Sequence, residues 1–256
     1  MAVSPLTIPQ PELARSLRVT LADGAATTVH VASYDRALTD LRVVRLRRRV
    51  PLAAWCARNR VSEALVGGFY VRPEGTPLGE LRTRGIARAH VPFAAPWDGE
   101  RACVHVFRGA VRIAARPELG AAPRGDLLQA GPLLVRAGRA IVRDGADPEG
   151  FSAGAHQFDS DITAGRHPRA ALAITGDRLL AVACDGRADH EAGLTLGELA
   201  DTLVGFGATE ALNLDGGGST SLVSGGRLRN RPHEAHNRPL PLGRAVSTAL
   251  VFAQRA

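Results

Sequence analysis

A glycine-rich segment near the C-terminus constrains the fold more than any other part of this sequence. In residues 211–223, ALNLDGGGSTSLV, apolar Leu212 and Leu214 alternate with polar Asn213 and Asp215, which is the two-residue period of a half-buried strand. The strand runs directly into three glycines. Each of them costs backbone entropy on folding, but together they allow a sharp turn that points several N–H groups at one anion. A carboxylate at a strand end beside such a loop predicts an active site.

Two other interpretations of Gly216, Gly217 and Gly218 are an ordinary hairpin turn and a P-loop. Two glycines are enough for a tight hairpin, so that hypothesis leaves the third one unexplained. The P-loop pattern requires a lysine, and all 32 basic residues of this chain are arginine. The absence of lysine also excludes pyridoxal-phosphate chemistry, Schiff-base aldolases and kinases that rely on a lysine.

The segment before this loop predicts a strand–helix–strand unit. Residues 170–174 and 179–184 have the composition of two strands, joined by a turn at Gly176 and Asp177. Residues 195–198, TLGE, have the capping-box form at a helix start. The helix has one apolar face, formed by Leu196, Leu199, Ala200, Leu203 and Val204. Asp185 follows the earlier strand as Asp215 follows the later one, so two strands end in carboxylates and a helix joins them.

These motifs make the chain similar to the phosphodiester glycosidases, and the resemblance spans roughly residues 60–253. The stronger matches are Arg169, Asp185-Gly186-Arg187, the helix at 195–200 and Asn213-Leu-Asp-Gly-Gly-Gly-Ser-Thr220. The weaker matches are Gly67-Gly-Phe-Tyr70, residues 129–135, residues 230–232, Arg244 and residues 247–250. The family commonly has Asn-Gly-Gly-Phe-Phe in the first of these, whereas Val66 and Tyr70 replace its asparagine and second phenylalanine here. We therefore expect sugar specificity to differ.

The resemblance implies a hydrolase that cleaves the anomeric C–O bond of a sugar-1-phosphodiester, releasing the sugar and a phosphomonoester. Cleavage passes through an oxocarbenium-like state that a carboxylate stabilises or attacks. Asp215 is expected at the anomeric carbon, and Asp185 as the second acid or the group that positions water. Arg169 would clamp phosphate oxygens through its paired donors. The other residues expected to bind substrate or phosphate are Arg187, Asn213, Gly216, Gly217, Gly218, Ser219, Thr220, Gly67 and Gly68.

Other functions and other reacting groups stay open. A metal-dependent phosphodiesterase would break the P–O bond, with Asp159 and Asp161 joining the two strand-end aspartates to hold Mg²⁺ or Ca²⁺. A non-catalytic module would bind the glycosyl phosphate without converting it. The candidate proton donors are His156, His167 and His190. Cys184 is a candidate thiol nucleophile, but free cysteine is more often a small core residue.

The whole sequence favours an α+β fold, with mixed β-sheets and a few flanking helices. We expect a loosely attached segment over residues 1–25 and a phosphodiester-glycosidase-like catalytic domain over 26–256. Short strands should dominate residues 27–142, with a helix near 52–58, and residues 143–166 should form a long loop, often a functional lid. The composition lacks a membrane-length apolar run.

The expected partner is a small glycosyl phosphodiester or a nucleotide sugar, with no cofactor, nucleic acid or membrane. No signal peptide is evident, so we expect a cytoplasmic protein, or a secreted one if a signal has been removed. The oligomeric state is not indicated.

An arginine run is the main basic feature of the first half. Arg42, Arg45 and residues 47–49 form a cluster that is typical of polyanion binding. Their alternation with Val43 and other apolar residues also predicts a strand with one solvated face. No aromatic residues are interleaved to stack bases, so the strand interpretation is favoured.

Overall fold

A computed structural model of the protein describes residues 14–143, 147, 149–152 and 162–255. This part of the chain consists mainly of β-strands, with two α-helices and a few short 3₁₀ turns. The strands form one seven-stranded sheet, two five-stranded sheets and one two-stranded ribbon. The predicted α+β class is therefore confirmed. Every pair between the strands named below is antiparallel.

The large sheet contains seven strands, numbered here in chain order along the whole protein. In spatial order they are β1 (Arg15–Thr20), β2 (Ala26–Asp35), β13 (Arg178–Cys184), β12 (Arg169–Ile174), β14 (Glu210–Asn213), β10 (Leu133–Arg136) and β11 (Arg139–Ala140). The predicted pair of strands at 170–174 and 179–184 is confirmed as β12 and β13. After the arginine that begins each strand, both are apolar because the sheet is covered on both faces.

The two faces of the large sheet pack against different layers. Along β12, Leu172 and Ile174 belong to the core between the sheets, whereas Ala171 and Ala173 pack on the other side. That other side is covered by helix α2 (Leu196–Gly205), whose Leu199 contributes to the same cluster. Strand alternation thus divides the apolar residues between two cores.

The remaining sheets complete the core. The second sheet contains β16 (Arg227–Leu228), β15 (Leu222–Ser224), β4 (Ala64–Val66), β19 (Ala245–Gln254) and β3 (Thr39–Pro51), in that order. The third contains β6 (Ile86–Ala87), β5 (Leu81–Thr83), β9 (Asp126–Gln129), β7 (Ala102–Phe107) and β8 (Ala110–Ala115). The ribbon pairs β17 (His233–Glu234) with β18 (Arg238–Pro239). Residues from both five-stranded sheets pack with the large sheet in the main core.

Both helices lie where the sequence predicts them. Helix α1 (Leu52–Asn59) buries Leu52 and Cys56, one turn apart. Helix α2 begins with the predicted capping box: the Thr195 hydroxyl accepts from the Glu198 N–H at 3.1 Å, and the Glu198 carboxylate accepts from the Thr195 N–H at 2.9 Å. These two bonds satisfy N–H groups that a helix start otherwise leaves unpaired.

The predicted site residues lie at one end of the central strands of the large sheet. Strands β13 and β14 both pair antiparallel with β12, so they run in the same direction and end at the same edge. Asp185 and Asp215 follow these ends, and Arg169 begins β12 between them. Because neighbouring strands lie about 4.8 Å apart, β13 and β14 are separated by roughly 10 Å. The two carboxylates therefore follow strands that are not direct neighbours.

The N-terminal expectation differs from the structure in one part. Residues 15–20 of the predicted loose segment form β1, which pairs with β2 over six residues. The boundary proposed at residue 25 lies in the turn between these strands. Residues 1–13, and most of the proposed lid at 143–166, lie outside the described residues. No helix in the described ranges is long and apolar enough to cross a membrane.

Candidate active site

A cavity of about 280 Å³ lies where β12 begins and β14 ends. Its walls are strongly charged, with four arginines against two carboxylates among the described residues. These six are Arg72, Arg169, Arg187, Arg244, Asp215 and Glu234. Phe69, Tyr70, Ile162 and Pro168 supply apolar wall, and His167 and Asn213 are further polar groups. A cavity with excess positive charge and a few carboxylates suits a small anionic ligand.

Asp215 is the carboxylate at the centre of this arrangement. The residue is half-buried, but its Oδ2 atom is inaccessible and has no hydrogen-bond partner among the described residues. Burial raises the pKa of Asp215 to about 6. The Ser219 hydroxyl, the charge of Arg244 and the Gly216 N–H each lower this pKa in part, although the hydroxyl does not reach good hydrogen-bond geometry. A desolvated, unpaired carboxylate beside a cavity is typical of a catalytic group.

The three glycines after Asp215 lie in close contact with neighbouring groups. A Cβ atom on Gly216 would lie 2.9 Å from the Pro168 carbonyl oxygen, and one on Gly218 would lie 2.9 Å from Oε1 of Glu234. Gly217 has φ +58°, and a Cβ there would lie 3.0 Å from Nη1 of Arg187. Wall groups thus pass directly over the bare backbone of each glycine.

Several N–H groups of the predicted anion cradle donate within the protein itself. The Gly217 N–H donates to the Pro168 carbonyl at 2.8 Å, and the N–H groups of Ser219 and Thr220 donate within the loop at 3.1 Å. These bonds form a short 3₁₀ turn over Gly217–Ser219, so the three donors are not available to a ligand. The buried hydroxyls of Ser219 and Thr220 belong to residues that do not line this cavity. Phosphate binding by this loop stays a prediction, with three of its five N–H groups engaged within the protein.

Asn213 and the Gly67-Gly68 pair fix the loop in position. The Asn213 amide nitrogen donates to the carbonyls of Gly131 (2.8 Å) and Leu214 (3.0 Å). Two carbonyl neighbours identify the nitrogen end of the amide, which leaves a buried Oδ1 without a described partner. The Gly67 carbonyl accepts from the Asp215 N–H at 3.0 Å. Neither Gly67 nor Gly68 lines the cavity, and Gly67 positions the Asp215 backbone from outside the cavity wall.

Asp185 lies outside the cavity wall, contrary to its predicted role as second acid. Its Oδ2 atom is 3.1 Å from Nε2 of buried His30, and its Oδ1 atom accepts from the Arg231 N–H at 2.6 Å. The residue is only 3% exposed. Its position at the end of β13, beyond β12 from the cavity, explains the difference. Asp185 holds the segment that leads towards Glu234.

Arg169 lines the cavity, but three of its nitrogen atoms already donate to carbonyl groups. Nε donates to Leu194 (3.1 Å), Nη1 to Ile162 (2.8 Å) and Nη2 to Gly165 (3.1 Å). These bonds hold the chain at 162–165 against the start of β12. The phosphate clamp predicted for Arg169 stays a prediction, with part of its donor set committed to the fold.

Arg187, which follows the end of β13, also lines the cavity. It lies over Gly217, and its Nη2 atom donates to Nδ1 of His167 at 3.3 Å. Burial lowers the pKa of Arg187, which the negative charge of Glu234 opposes and the positive charge of Arg244 reinforces. His167 Nε2 in turn donates to the Ala164 carbonyl at 2.9 Å. Both ring nitrogens are thus engaged, which is unfavourable for the proton-donor role considered for His167.

Arg244 and Glu234 form a part of the wall to which the sequence analysis assigned no role. Arg244 Nε donates to Oε1 of Glu234 at 2.8 Å, and Nη2 donates to the other carboxylate oxygen, so the pair is bidentate. The hydrogen bond from Arg244 lowers the pKa of Glu234, which keeps this second carboxylate ionised. Glu234 lies on β17, in the ribbon. Arg244 carried a weak family signal, whereas Glu234 and Arg72 carried none.

The remaining candidate residues are the possible nucleophile, the other histidines and the possible metal ligands. Cys184 is fully buried, and burial raises the pKa of its thiol to about 12, so it is a core residue rather than a nucleophile. His190 is exposed and does not line the cavity. His156, Asp159 and Asp161 lie outside the described residues. Among the residues described, no three His, Cys, Asp or Glu side chains form a group that could hold a metal ion.

Comparisons with known proteins identify the family and the fold of the chain. The sequence model of the phosphodiester glycosidase family matches residues 59–253, and the chain therefore belongs to this family. The structure resembles the catalytic domain of zebrafish N-acetylglucosamine-1-phosphodiester alpha-N-acetylglucosaminidase, auto-inhibited by its pro-peptide, with a TM-score of 0.72 and 18% identity. That match covers 94% of this chain and 82% of the zebrafish chain.

A second solved structure has the same fold. A hypothetical protein from Synechocystis matches with a TM-score of 0.64 and 19% identity, covering 94% of this chain and 62% of that one. None of the functionally curated proteins matches the sequence. Structural matches at identities this low show the fold alone, so substrate and reaction must be argued from the cavity itself.

Proposed function

We propose that this protein hydrolyses the anomeric C–O bond of a sugar-1-phosphodiester, or of a nucleotide sugar, and releases the sugar and a phosphorylated product. The observation that carries the proposal is the juxtaposition of desolvated Asp215 with the arginines of the same cavity. The carboxylate suits a centre that becomes positive during reaction, and the arginines suit an anionic leaving group. Family membership supports the same reaction type.

Asp215 would face the anomeric carbon. As the C–O bond breaks, its electron pair leaves with the phosphate oxygen and positive charge develops on the sugar ring. An ionised Asp215 stabilises that charge, and water supplies the hydroxyl that completes the sugar. A phosphate leaving group is a stable anion, so the reaction does not need a strong acid at the departing oxygen. One unpaired carboxylate is therefore sufficient in this proposal.

Arg187 and Arg244 would bind the phosphate. Each lies in a partly desolvated wall, and the charge of Arg244 acts unfavourably on Arg187. An anion between them would relieve this repulsion, and would gain strength as the leaving group accumulates charge. Glu234 holds the Arg244 guanidinium in place through two parallel bonds, which limits its freedom before the ligand arrives.

A product assay tests this proposal. Purified protein is incubated with a panel of sugar-1-phosphodiesters and nucleotide sugars, with and without a chelator, and the products are separated by mass spectrometry. Free sugar that is formed equally in chelator supports the proposal. Release of sugar-1-phosphate, lost in chelator, would instead support the metal-dependent phosphodiesterase. Tight binding of a panel member without any product would support a binding module.

A further inference from the structure

The exposed edge of the second sheet carries an unpaired cluster of positive charge. Strand β3 is the last strand of that sheet and pairs with β19 alone. Arg45, Arg47, Arg48 and Arg49 are all exposed, and none forms an ion pair with any described residue. Arg42, earlier on the strand, differs because it pairs with Asp40 at 2.7 Å. We name the four unpaired residues the β3 arginine cluster.

A bulge in β3 turns this cluster out of the regular ladder. Arg45 lies opposite Thr248, and Val50 lies opposite Val246. Five steps along β3 thus correspond to two along β19, so three extra residues lie in the edge strand. Bulges re-aim side chains and are frequent at sheet edges and beside active sites. Residues 47–49 are therefore presented outward together.

The cluster is continuous with the cavity through Arg49. Its guanidinium carbon lies 5.1 Å from the centre of the Tyr70 ring, and Tyr70 lines the cavity. The Arg49 stem packs on Gly75, where a Cβ atom would lie only 2.4 Å from Arg49 Cδ. The Ser247 hydroxyl donates to the Gly75 carbonyl at 2.5 Å, which ties this turn to β19. Arg49 is thus held against the cavity wall.

We propose that the β3 arginine cluster binds further phosphate groups on the far side of the substrate's scissile phosphodiester. The substrate class is then a chain of repeated phosphodiesters whose terminal sugar enters the cavity. This inference rests on the proposed function, because it assumes that the cavity hydrolyses a sugar-1-phosphodiester. Arginines inside the cavity account for the first phosphate, and the cluster outside continues the positive surface from Tyr70. The family match begins at residue 59, so the cluster is outside the matched region.

Direct binding tests the cluster without requiring turnover. The probes are synthetic glycerol phosphate chains of one and four phosphates, measured by calorimetry at several salt concentrations. The test variant combines Arg47→Gln, Arg48→Gln and Arg49→Gln. The control combines Arg15→Gln, Arg139→Gln and Arg227→Gln, which removes the same charge from exposed edge strands that do not line the cavity.

The wild type and the control should bind the four-phosphate probe roughly tenfold more tightly than the one-phosphate probe, as several exposed charge pairs allow. The test variant should lose that preference. Its plot of log affinity against log salt should flatten by about 2, since three phosphate contacts are removed. Equal affinity of the wild type for both probes would overturn the proposal, as would an equal loss in test and control variants.

Two further arms separate the alternatives. One arm uses vesicles of anionic phosphatidylglycerol. If the vesicles bind the wild type but not the test variant, while the test variant still prefers the four-phosphate probe, the cluster binds a membrane surface and the proposal is overturned. The same probes carrying a terminal sugar report turnover. Preserved probe preference with no sugar released would contradict the proposed hydrolysis and leave the phosphate site standing. Release of sugar by a protein that does not prefer the four-phosphate probe would overturn the phosphate site and leave the proposed hydrolysis standing.

Discussion

Two aspartates at the same edge of the large sheet have different surroundings, although each follows a strand in the same way. Asp185 is enclosed by His30 on one side and the Arg231 N–H on the other. Asp215 opens on the cavity, and its buried Oδ2 atom has no described partner. Strand β12 separates them. The contrast shows that a strand-end carboxylate becomes a candidate catalyst only when the surrounding fold leaves its oxygen unsatisfied.

The physical difference is between a charge that the protein satisfies and one that it leaves for a ligand. Both hydrogen bonds to Asp185 come from the protein itself, so removing this side chain would leave buried partners unpaired. Asp215 has given up water without full compensation, which its raised pKa records. Substitution at the first position should therefore affect folding, and at the second position chemistry.

The largest expected effect is on the activity of Asp215→Asn. Removing the negative charge at the anomeric carbon should reduce kcat about 10³-fold, as for other positioned carboxylates. Folding should be preserved, because an amide in this site no longer carries a desolvated charge. Steady-state kinetics together with thermal unfolding measure both quantities. Near-full activity in this variant would contradict the role assigned to Asp215.

The matched substitution at the other strand end is Asp185→Ala. It should lower the free energy of unfolding by about 3 kcal/mol, because His30 and the Arg231 N–H lose a buried partner. At a temperature where the variant is folded, kcat should stay within about tenfold of the wild type. Chemical denaturation and kinetics at low temperature check this. A 10³-fold loss of kcat with unchanged stability would reverse the comparison.

The pH dependence of stability should report on the burial of Asp215. The folded-state pKa of Asp215 is raised to about 6 from 3.8, so the folded protein binds the proton more tightly than the unfolded chain. This favourable contribution is fully present below about pH 4 and is lost as the pH rises through 6, by up to about 3 kcal/mol.

Asp215→Asn removes that titration. Relative to the wild type, the variant should therefore become progressively more stable between pH 4 and pH 7, as measured by denaturant unfolding at each pH. A stability difference that does not change across this range would show that Asp215 titrates normally.

The smallest expected effect is on KM, and it comes from comparing alanine substitutions at two glycines with left-handed backbone. Gly217 and Gly226 have φ of +58° and +70°, but only Gly217 has a side chain, Arg187, over it. Alanine at either position should cost about 1 kcal/mol of stability, because left-handed backbone disfavours a Cβ. Only Gly217→Ala should raise KM, by roughly tenfold, since it displaces Arg187. Equal KM values in the two variants would contradict the close-packing account of the loop.

Local signals in the sequence predicted much of the fold. The capping box of α2 and the turn between β12 and β13 depend on neighbours within a few residues, and both are confirmed. The alternation before Asp215 predicted a half-buried strand, and the strand is confirmed as β14, but it is buried on both faces, with Asn213 only 1% exposed. The edge of the sheet that carries the cavity follows from the order of these elements. The family resemblance supplied the fold type and the importance of residues 213–220.

The remainder depends on contacts between distant residues. Glu234 reaches the cavity from the ribbon, and no local pattern marks it. His30 satisfies Asp185 from a strand that lies 155 positions earlier in the chain, so the sequence could not show that this carboxylate is enclosed. The glycine pattern predicts N–H groups that face a ligand, but it cannot show that those of Gly217, Ser219 and Thr220 donate within the protein, because these bonds depend on Pro168 and on the 3₁₀ turn. Arg169 was likewise already engaged by carbonyls.

The most direct test of the central claim is the fate of ¹⁸O-labelled water during hydrolysis by the wild type, by Asp185→Ala and by Asp215→Asn. Mass spectrometry then shows which product carries the oxygen. Cleavage at the anomeric carbon predicts label on the free sugar, retained in the Asp185 variant and lost with activity in the Asp215 variant. Label on the phosphate product would show P–O cleavage and contradict the account.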